Sequence, residues 1–279
     1  MNRKTFLKKL FQVSVLGAFP GLYSWQVEPF WVEFVQRKLP VKNLPKALDG
    51  KILMQISDLH VGTRFDWNFL IDSFQKAKQY KPDFVVYTGD FVNHGTSQEQ
   101  GDLKKVMENC VLGASATFGI LGNHDYGENW NDTECSERVC STLSCLGIKM
   151  LRNSQEESHG LNFIGFEDLW SSHFQPSEVM TTYNPSKANI VLCHNPDACD
   201  LDIWNGYQGW ILSGHTHGGQ CRIPGVITPI LPVKNKKYIS GEIDLKDGRM
   251  LYINRALGHS FQIRFMVRLE ITVFTLTQA

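Results

Sequence analysis

Chemistry-bearing side chains gather in five short clusters along the chain. Asp58 and His60 lie in Ser57-Asp58-Leu59-His60, Asp90 follows Gly89, and Asn123, His124 and Asp125 follow Gly122. His194 sits in Cys193-His194-Asn195-Pro196, and His215 and His217 sit in Ser213-Gly214-His215-Thr216-His217-Gly218-Gly219-Gln220. Two residues apart on an extended segment, His215 and His217 present both imidazoles to one side and Thr216 to the other. The glycines around them allow a sharp turn and close approach of a ligand. Asp58, His60, Asp90, Asn123, His194, His215 and His217 together exceed what one four-coordinate zinc requires. They suit two divalent ions of mixed nitrogen and oxygen preference, such as Mn, Fe, Zn or Co. Asp90 is the natural bridge, because a carboxylate has two oxygens.

Such a site implies hydrolysis of a phosphate ester. Two divalent ions against the two carboxylates leave a site of about +2, which attracts phosphate. Bound metal lowers the pKa of water to roughly 7, and a metal pair clamps attacking and leaving oxygens of an in-line displacement. His124, left over from the ligand set, is free to protonate the leaving oxygen.

The elements that must position these groups are short apolar runs. Lys51 to Ile56, Phe84 to Tyr87, Thr117 to Leu121, Asn189 to Leu192 and Trp210 to Leu212 each read as a strand that ends in one of the five clusters. Helical periodicity covers Asp66 to Tyr80, with Phe69, Leu70, Phe74 and Ala77 on its inner face, and helices are also expected over Asp102 to Val111 and Glu134 to Leu146. Asn162 to Phe166, Met250 to Asn254 and Glu270 to Leu276 are further strand candidates. Early alternation of strand and helix predicts a partly parallel α/β sheet. Ligands of such sheets gather beyond the carboxyl ends of the strands, so the five clusters are expected to converge in one cleft.

In order, SDLH, GD, GNHD, the CHNPD histidine and GHTHGGQ resemble the motifs of the calcineurin-like metallophosphoesterase superfamily, over nearly all of the chain from Lys51 onward. The resemblance implies a four-layer α/β/β/α sandwich of two mixed β-sheets. It implies one metal held by Asp58, His60, Asp90 and His217, a second held by Asp90, Asn123, His194 and His215, and substrate chemistry at His124. Asn93 and His94 stand where the Ser/Thr protein phosphatases of the superfamily carry an Asp-Arg pair, which argues against that branch. The continuation Gln220-Cys221-Arg222-Ile223-Pro224 resembles the YkuE/YaeI-like branch, whose members are often membrane-associated phosphodiesterases. One set of relatives cleaves the pyrophosphate of UDP-2,3-diacylglucosamine. The expected substrate is therefore a phosphodiester or pyrophosphate, lipid-linked in the sharpest reading. The other readings are a phosphomonoesterase, a nuclease, or a non-catalytic metal-stabilised scaffold. Arg222 and Arg64 are candidate phosphate contacts, Asp125 is expected to orient a ligand or the acid histidine, and Lys234, Lys236 and Lys237 form a basic loop that reads as solvated.

Composition narrows the partners. The formal net charge is zero and 42% of residues are hydrophobic, an ordinary globular balance without the basic field of a nucleic-acid binder. Seven cysteines form no C-x-x-C pair and read as reduced thiols. Arg3, Lys4, Lys8 and Lys9 precede an apolar run from Leu10 to Tyr23. This is the pattern of an export signal resembling the twin-arginine type, with Lys4 in place of the second arginine, or of a segment that lies on a membrane. The expected organisation is a membrane-associating segment over residues 1–27, a connector over 28–49 and one metallophosphoesterase domain over 50–279.

Overall fold

Side chains alternate across a strand, so a strand covered on both faces needs apolar residues on each. In a computed structural model describing residues 19–62, 66–223, 225 and 230–279, β2 (Ile52–Ile56) sends Leu53 to one face and Met54 and Ile56 to the other. β3 (Phe84–Thr88) sends Phe84 and Val86 one way and Val85 and Tyr87 the other. β8 (Ala188–Leu192) and β9 (Trp210–Ser213) follow the same rule.

Two six-stranded mixed sheets result. The first contains, in chain order, β1 (Val32–Val41), β2, β3, β4 (Ala116–Ile120), β5 (Lys149–Met150) and β12 (Leu269–Gln278), arranged β1-β12-β2-β3-β4-β5. The second contains β6 (Ser154–Ser158), β7 (Leu161–Gly165), β8, β9, β10 (Gly241–Asp244) and β11 (Met250–Ile253), arranged β10-β11-β9-β8-β7-β6. β2, β3, β4 and β5 run parallel in one sheet and β11, β9, β8 and β7 in the other. The sheets pack through Leu53, Phe84 and Phe118 on one side and Phe163, Ile190 and Leu212 on the other. The rings of Phe118 and Phe163 lie 4.7 Å apart. Each such buried side chain contributes about 1.5–3 kcal/mol.

Three helices cover the outer face of the first sheet: α1 (Trp67–Ala77), α2 (Ser97–Met107) and α3 (Thr133–Cys145). Leu70, Phe74, Leu103, Val106, Val139 and Leu143 pack there. Among the described residues, the outer face of the second sheet carries only the short α4 (Pro176–Met180), 3-10 turns and loops, with Val179, Trp204, Tyr207 and Tyr238 covering Val191, Ile211 and Leu251. The four layers are those implied by the resemblance, with the last one thin. Among the described residues no helix is long and apolar enough to cross a membrane.

Two expectations are corrected. Residues 28–49 are not a connector, because Val32–Val41 pairs along its full length with β12 as a parallel edge strand. Pro40 concealed it, yet an edge strand tolerates proline where no ladder partner waits for its nitrogen. α2 begins at Ser97 rather than near Asp102, because Thr96 and Glu99 form a capping box upstream of the apolar pattern. Residues 1–18, which hold the basic part of the expected membrane segment, lie outside the described residues, and residues 19–26 are helical.

Candidate metal centre

The parallel strands of both sheets deliver all five clusters to one edge of the sandwich. Loop backbones continue the ladders there: the Asp58 amide donates to Gly89 O at 2.9 Å, His60 to Asp90 O at 3.0 Å and Gly214 to His194 O at 3.1 Å. Across the sheets, Leu257 donates to Ser57 O at 2.9 Å and Gln55 Nε2 to Ser213 O at 3.0 Å, and the same Nε2 donates to Thr88 Oγ1 on the neighbouring strand at 3.0 Å. Five of the seven expected ligands adopt left-handed backbone, with φ of 53° at Asp58, 47° at His60, 55° at Asp90, 71° at His215 and 52° at His217. Such conformations cost of order 1–3 kcal/mol each and persist only where surrounding bonds enforce them. Glycine supplies the remaining room. A Cβ at Gly122 would overlap the Asp90 carboxylate, and one at Gly214 would overlap Ser57 Oγ and the Asp58 carboxylate.

Two donor groups form. Ligand atoms of Asp58, His60, Asp90 and His217 lie within 4.8 Å of one another, as do those of Asp90, His194 and His215, so Asp90 is common to both. His60 Nε2 and His217 Nε2 are 2.9 Å apart, His217 Nε2 is 3.2 Å from Asp58 Oδ1, and His194 Nε2 is 3.1 Å from Asp90 Oδ2. Asn123 Oδ1 is buried with no hydrogen-bond partner among the described residues. The expectation that His215 and His217 face one side of a strand fails, since β9 ends at Ser213 and the two belong to different groups. The turn separates them, and Thr216 is pinned away through its hydroxyl, which donates to Ile239 O at 2.6 Å.

Hydrogen bonds set the tautomers. His194 Nδ1–H donates to Thr88 O at 2.6 Å, His215 Nε2–H to Pro232 O at 3.0 Å and His217 Nδ1–H to Gln220 Oε1 at 3.3 Å. In each case the other ring nitrogen is the one turned toward a cation, once any proton on it has left. Burial pushes His60 well below the ordinary histidine range. Burial, reinforced by the charge of His194, takes His215 down to about 3. Burial alone would also lower His194, but the adjacent Asp90 carboxylate raises it well above the usual value. Burial works against the charge of Asp58, yet the hydrogen bond and charge of His217 outweigh it and hold the carboxyl down to about 2. Two ionised carboxylates, four imidazoles and an orphaned amide oxygen converging in a buried space fit divalent metals of N/O preference.

The remaining expected residues separate. His124 stands outside both donor groups, with its amide donating to Asp90 Oδ1 at 2.9 Å and its Nδ1–H to Asn93 O at 2.6 Å. Asp125 does not reach an imidazole. Its carboxylate accepts the amides of Asp90, Phe91 and Gly122 at 2.8–2.9 Å and of Val92 at 3.2 Å, which moulds the loop that carries Asp90. Arg222 is exposed and outside the residues that line the cleft, and Arg64 lies outside the described residues. Lys236 is occupied by its own loop, donating to Leu231 O at 2.9 Å and to Val233 O.

Arg264 escaped the sequence reading because it belongs to no motif. Fully buried, its guanidinium donates to the carbonyls of Gly258 at 2.8 Å, Arg255 at 2.9 Å and His217 at 3.4 Å. Burial lowers it to about 9 against the opposing pull of Asp58. Above the donor groups opens a cleft of about 620 Å³ whose walls include His124, Trp130, Trp170, Ile230, Phe261 and Ile263. Trp170 stacks obliquely on Trp130 at 4.6 Å and meets His215 edge-on at 4.6 Å.

Comparison with known proteins points to the superfamily that the motifs resemble. The profile of the family described as calcineurin-like phosphoesterase matches residues 52–219. Phosphodiesterase YaeI of Escherichia coli strain K12 is 29% identical over 283 residues, covering 99% of each chain. The uncharacterized metallophosphoesterase YkuE of Bacillus subtilis strain 168 is 28% identical over 290 residues, covering 99% of this chain and 98% of its own. UDP-2,3-diacylglucosamine pyrophosphatase LpxG of Chlamydia muridarum is 27% identical over 286 residues, covering 83% of this chain and 86% of its own.

Proposed function

The chain belongs to the calcineurin-like phosphoesterase family, and on that premise we propose that it hydrolyses a phosphodiester or pyrophosphate bond of a lipid-linked substrate at a membrane surface. The observation that carries the reading is the pair of buried donor groups sharing Asp90. Asp58, His60, Asp90 and His217 would hold one divalent ion, and Asp90, Asn123, His194 and His215 the other. Bound there, the ions supply Lewis acidity toward phosphate and water.

The chain's own residues do the rest. Asp90 fixes the spacing of the two groups, and Asp125 fixes Asp90 through the backbone. His124 is oriented by the Asn93 carbonyl through Nδ1, so its Nε2 is the atom that carries a proton to the leaving oxygen. A positioned acid of this kind contributes about 10²–10⁴-fold. The aromatic walls at Trp130, Trp170 and Phe261 exclude water and strengthen the field inside. Relatives named as a phosphodiesterase and as a UDP-2,3-diacylglucosamine pyrophosphatase support a diester or pyrophosphate over a monoester. Residues 1–27, basic and then apolar, hold the enzyme at the membrane, exported by a twin-arginine-like signal or bound at the cytoplasmic face.

The test is a substrate panel for protein loaded with Mn²⁺: bis-p-nitrophenyl phosphate, p-nitrophenyl phosphate and UDP-2,3-diacylglucosamine. The reading predicts turnover of the diester and faster turnover of the lipid pyrophosphate, each abolished by chelation. Turnover of the monoester alone, or of none, would overturn it.

A further inference from the structure

Large apolar side chains are exposed on one continuous face that ends at the mouth of the cleft. Phe19, Leu22 and Trp25 are 76%, 56% and 51% exposed, Phe261, Ile263 and Met266 are 60%, 50% and 59% exposed, and Ile230 is 93% exposed. Hydrogen bonds join the two main segments into one surface. The Arg264 amide donates to Ser24 O at 2.8 Å, Gln262 Nε2 donates to Trp25 O at 3.0 Å, and Tyr23 meets Phe265 edge-on at 6.3 Å. Glu28 fastens the join from beneath, its buried carboxylate accepting the amides of Met266 at 2.8 Å and Val267 at 2.6 Å. Phe261, Ile263 and Ile230 also line the catalytic cleft, so the face and the cleft share an edge.

Charge identifies what covers such a face. Residues 1–27, 220–231 and 257–268 contain no aspartate or glutamate, although the chain has 28. The same stretches carry Arg3, Lys4, Lys8, Lys9, Arg222 and Arg268, and the Arg268 guanidinium lies 3.8 Å from the centre of the Trp31 ring. Apolar and aromatic side chains with basic neighbours and no carboxylates are the composition of a surface that seats at the headgroup boundary of an anionic bilayer. A docking face for a second protein would deplete lysine together with aspartate and glutamate, whereas these stretches lose the acidic residues and keep Lys4, Lys8 and Lys9.

We propose that this face docks on an anionic lipid bilayer and that the cleft therefore opens directly onto the lipid surface. A phosphoester anchored in the bilayer then reaches the donor groups without leaving the membrane. That consequence rests on the phosphoester-hydrolase reading, whereas the docking itself does not.

The experiment uses the full chain, metal-loaded, with vesicles of phosphatidylglycerol and phosphatidylcholine and with vesicles of phosphatidylcholine alone. Trp25→Glu/Met266→Glu leaves residues 1–18 and the cleft lining intact. Wild type is expected to co-sediment with the anionic vesicles, and the double variant to partition about tenfold less or weaker, at unchanged hydrolysis of bis-p-nitrophenyl phosphate. Brominated lipid should quench the fluorescence of wild type more than that of Trp25→Phe, a variant that preserves packing. Equal partitioning of wild type and double variant, or equal quenching of wild type and Trp25→Phe, overturns the proposal. So does a wild-type dimer that the double variant loses, since a second copy then covers the face. So, too, does a Trp25 already shielded from iodide without vesicles, since the chain then covers it itself. Vesicle binding without hydrolysis of any phosphoester removes the hydrolase reading and leaves the docking standing.

Discussion

At the floor of the cleft seven polar side chains are buried among apolar strands, while at its rim Ile230, Phe261, Ile263 and Met266 stand in solvent. The floor is over-determined. Five of its side chains sit on left-handed backbone, Gly122 and Gly214 leave no room for a Cβ, and Asp125 spends its whole carboxylate on amides. The rim is tied down at fewer points: the Arg264 amide on Ser24 O, Gln262 on Trp25 O, and the Glu28 carboxylate under Met266, whose backbone is left-handed. The difference separates two kinds of information: the floor specifies the chemistry, and the rim specifies where that chemistry is delivered.

This contrast yields graded expectations. Asp90→Ala, which removes the side chain common to both donor groups, should lower hydrolysis by about a thousandfold or more, the scale of several kcal/mol of metal-assisted charge stabilisation. Metal analysis of the same protein should show at least one ion lost. His124→Ala should reduce kcat by about 10²–10⁴-fold with metal content unchanged, because His124 lies outside both donor groups. Loss of metal in that variant would place His124 among the ligands instead.

Acidity gives a gentler probe. In the metal-free protein Asp90 holds His194 protonated well above the ordinary histidine value, so metal must displace that proton. Uptake should release protons and the apparent affinity should rise with pH, by up to about tenfold per unit for one displaced proton. Calorimetric titration at pH 6 and pH 8 reads this directly, and affinity that falls with rising pH would contradict the assignment of His194. The smallest effect belongs to the rim. Met266→Ser should shift stability by no more than about 0.5 kcal/mol, as for an ordinary surface substitution, and should leave turnover of a soluble diester unchanged. A large loss there would mean that floor and rim are not separable.

The floor was legible in the sequence because each ligand follows an apolar run that can only be a buried strand. Ile52–Ile56, Phe84–Thr88, Ala188–Leu192 and Trp210–Ser213 all end within two or three residues of a cluster. Spacing alone misled at His215 and His217, where alternation along a strand was carried into a turn with positive φ. β1 was hidden by Pro40 and its polar edge, and β6 and β10 by compositions, SQEES and GEID, that only an edge strand tolerates. Arg264 and the task of Asp125 were illegible for a different reason. Both act on backbone atoms brought close by tertiary folding, and no local pattern encodes which carbonyls or amides will be near.

The central claim is that the buried donors hold two ions and that hydrolysis needs both. Titrating metal-free protein with Mn²⁺ while following hydrolysis of bis-p-nitrophenyl phosphate tests it most directly. Activity should climb until the second equivalent per chain is bound, with Asp90→Ala silent throughout. Full activity at one equivalent, or hydrolysis that persists in excess chelator, would contradict the account.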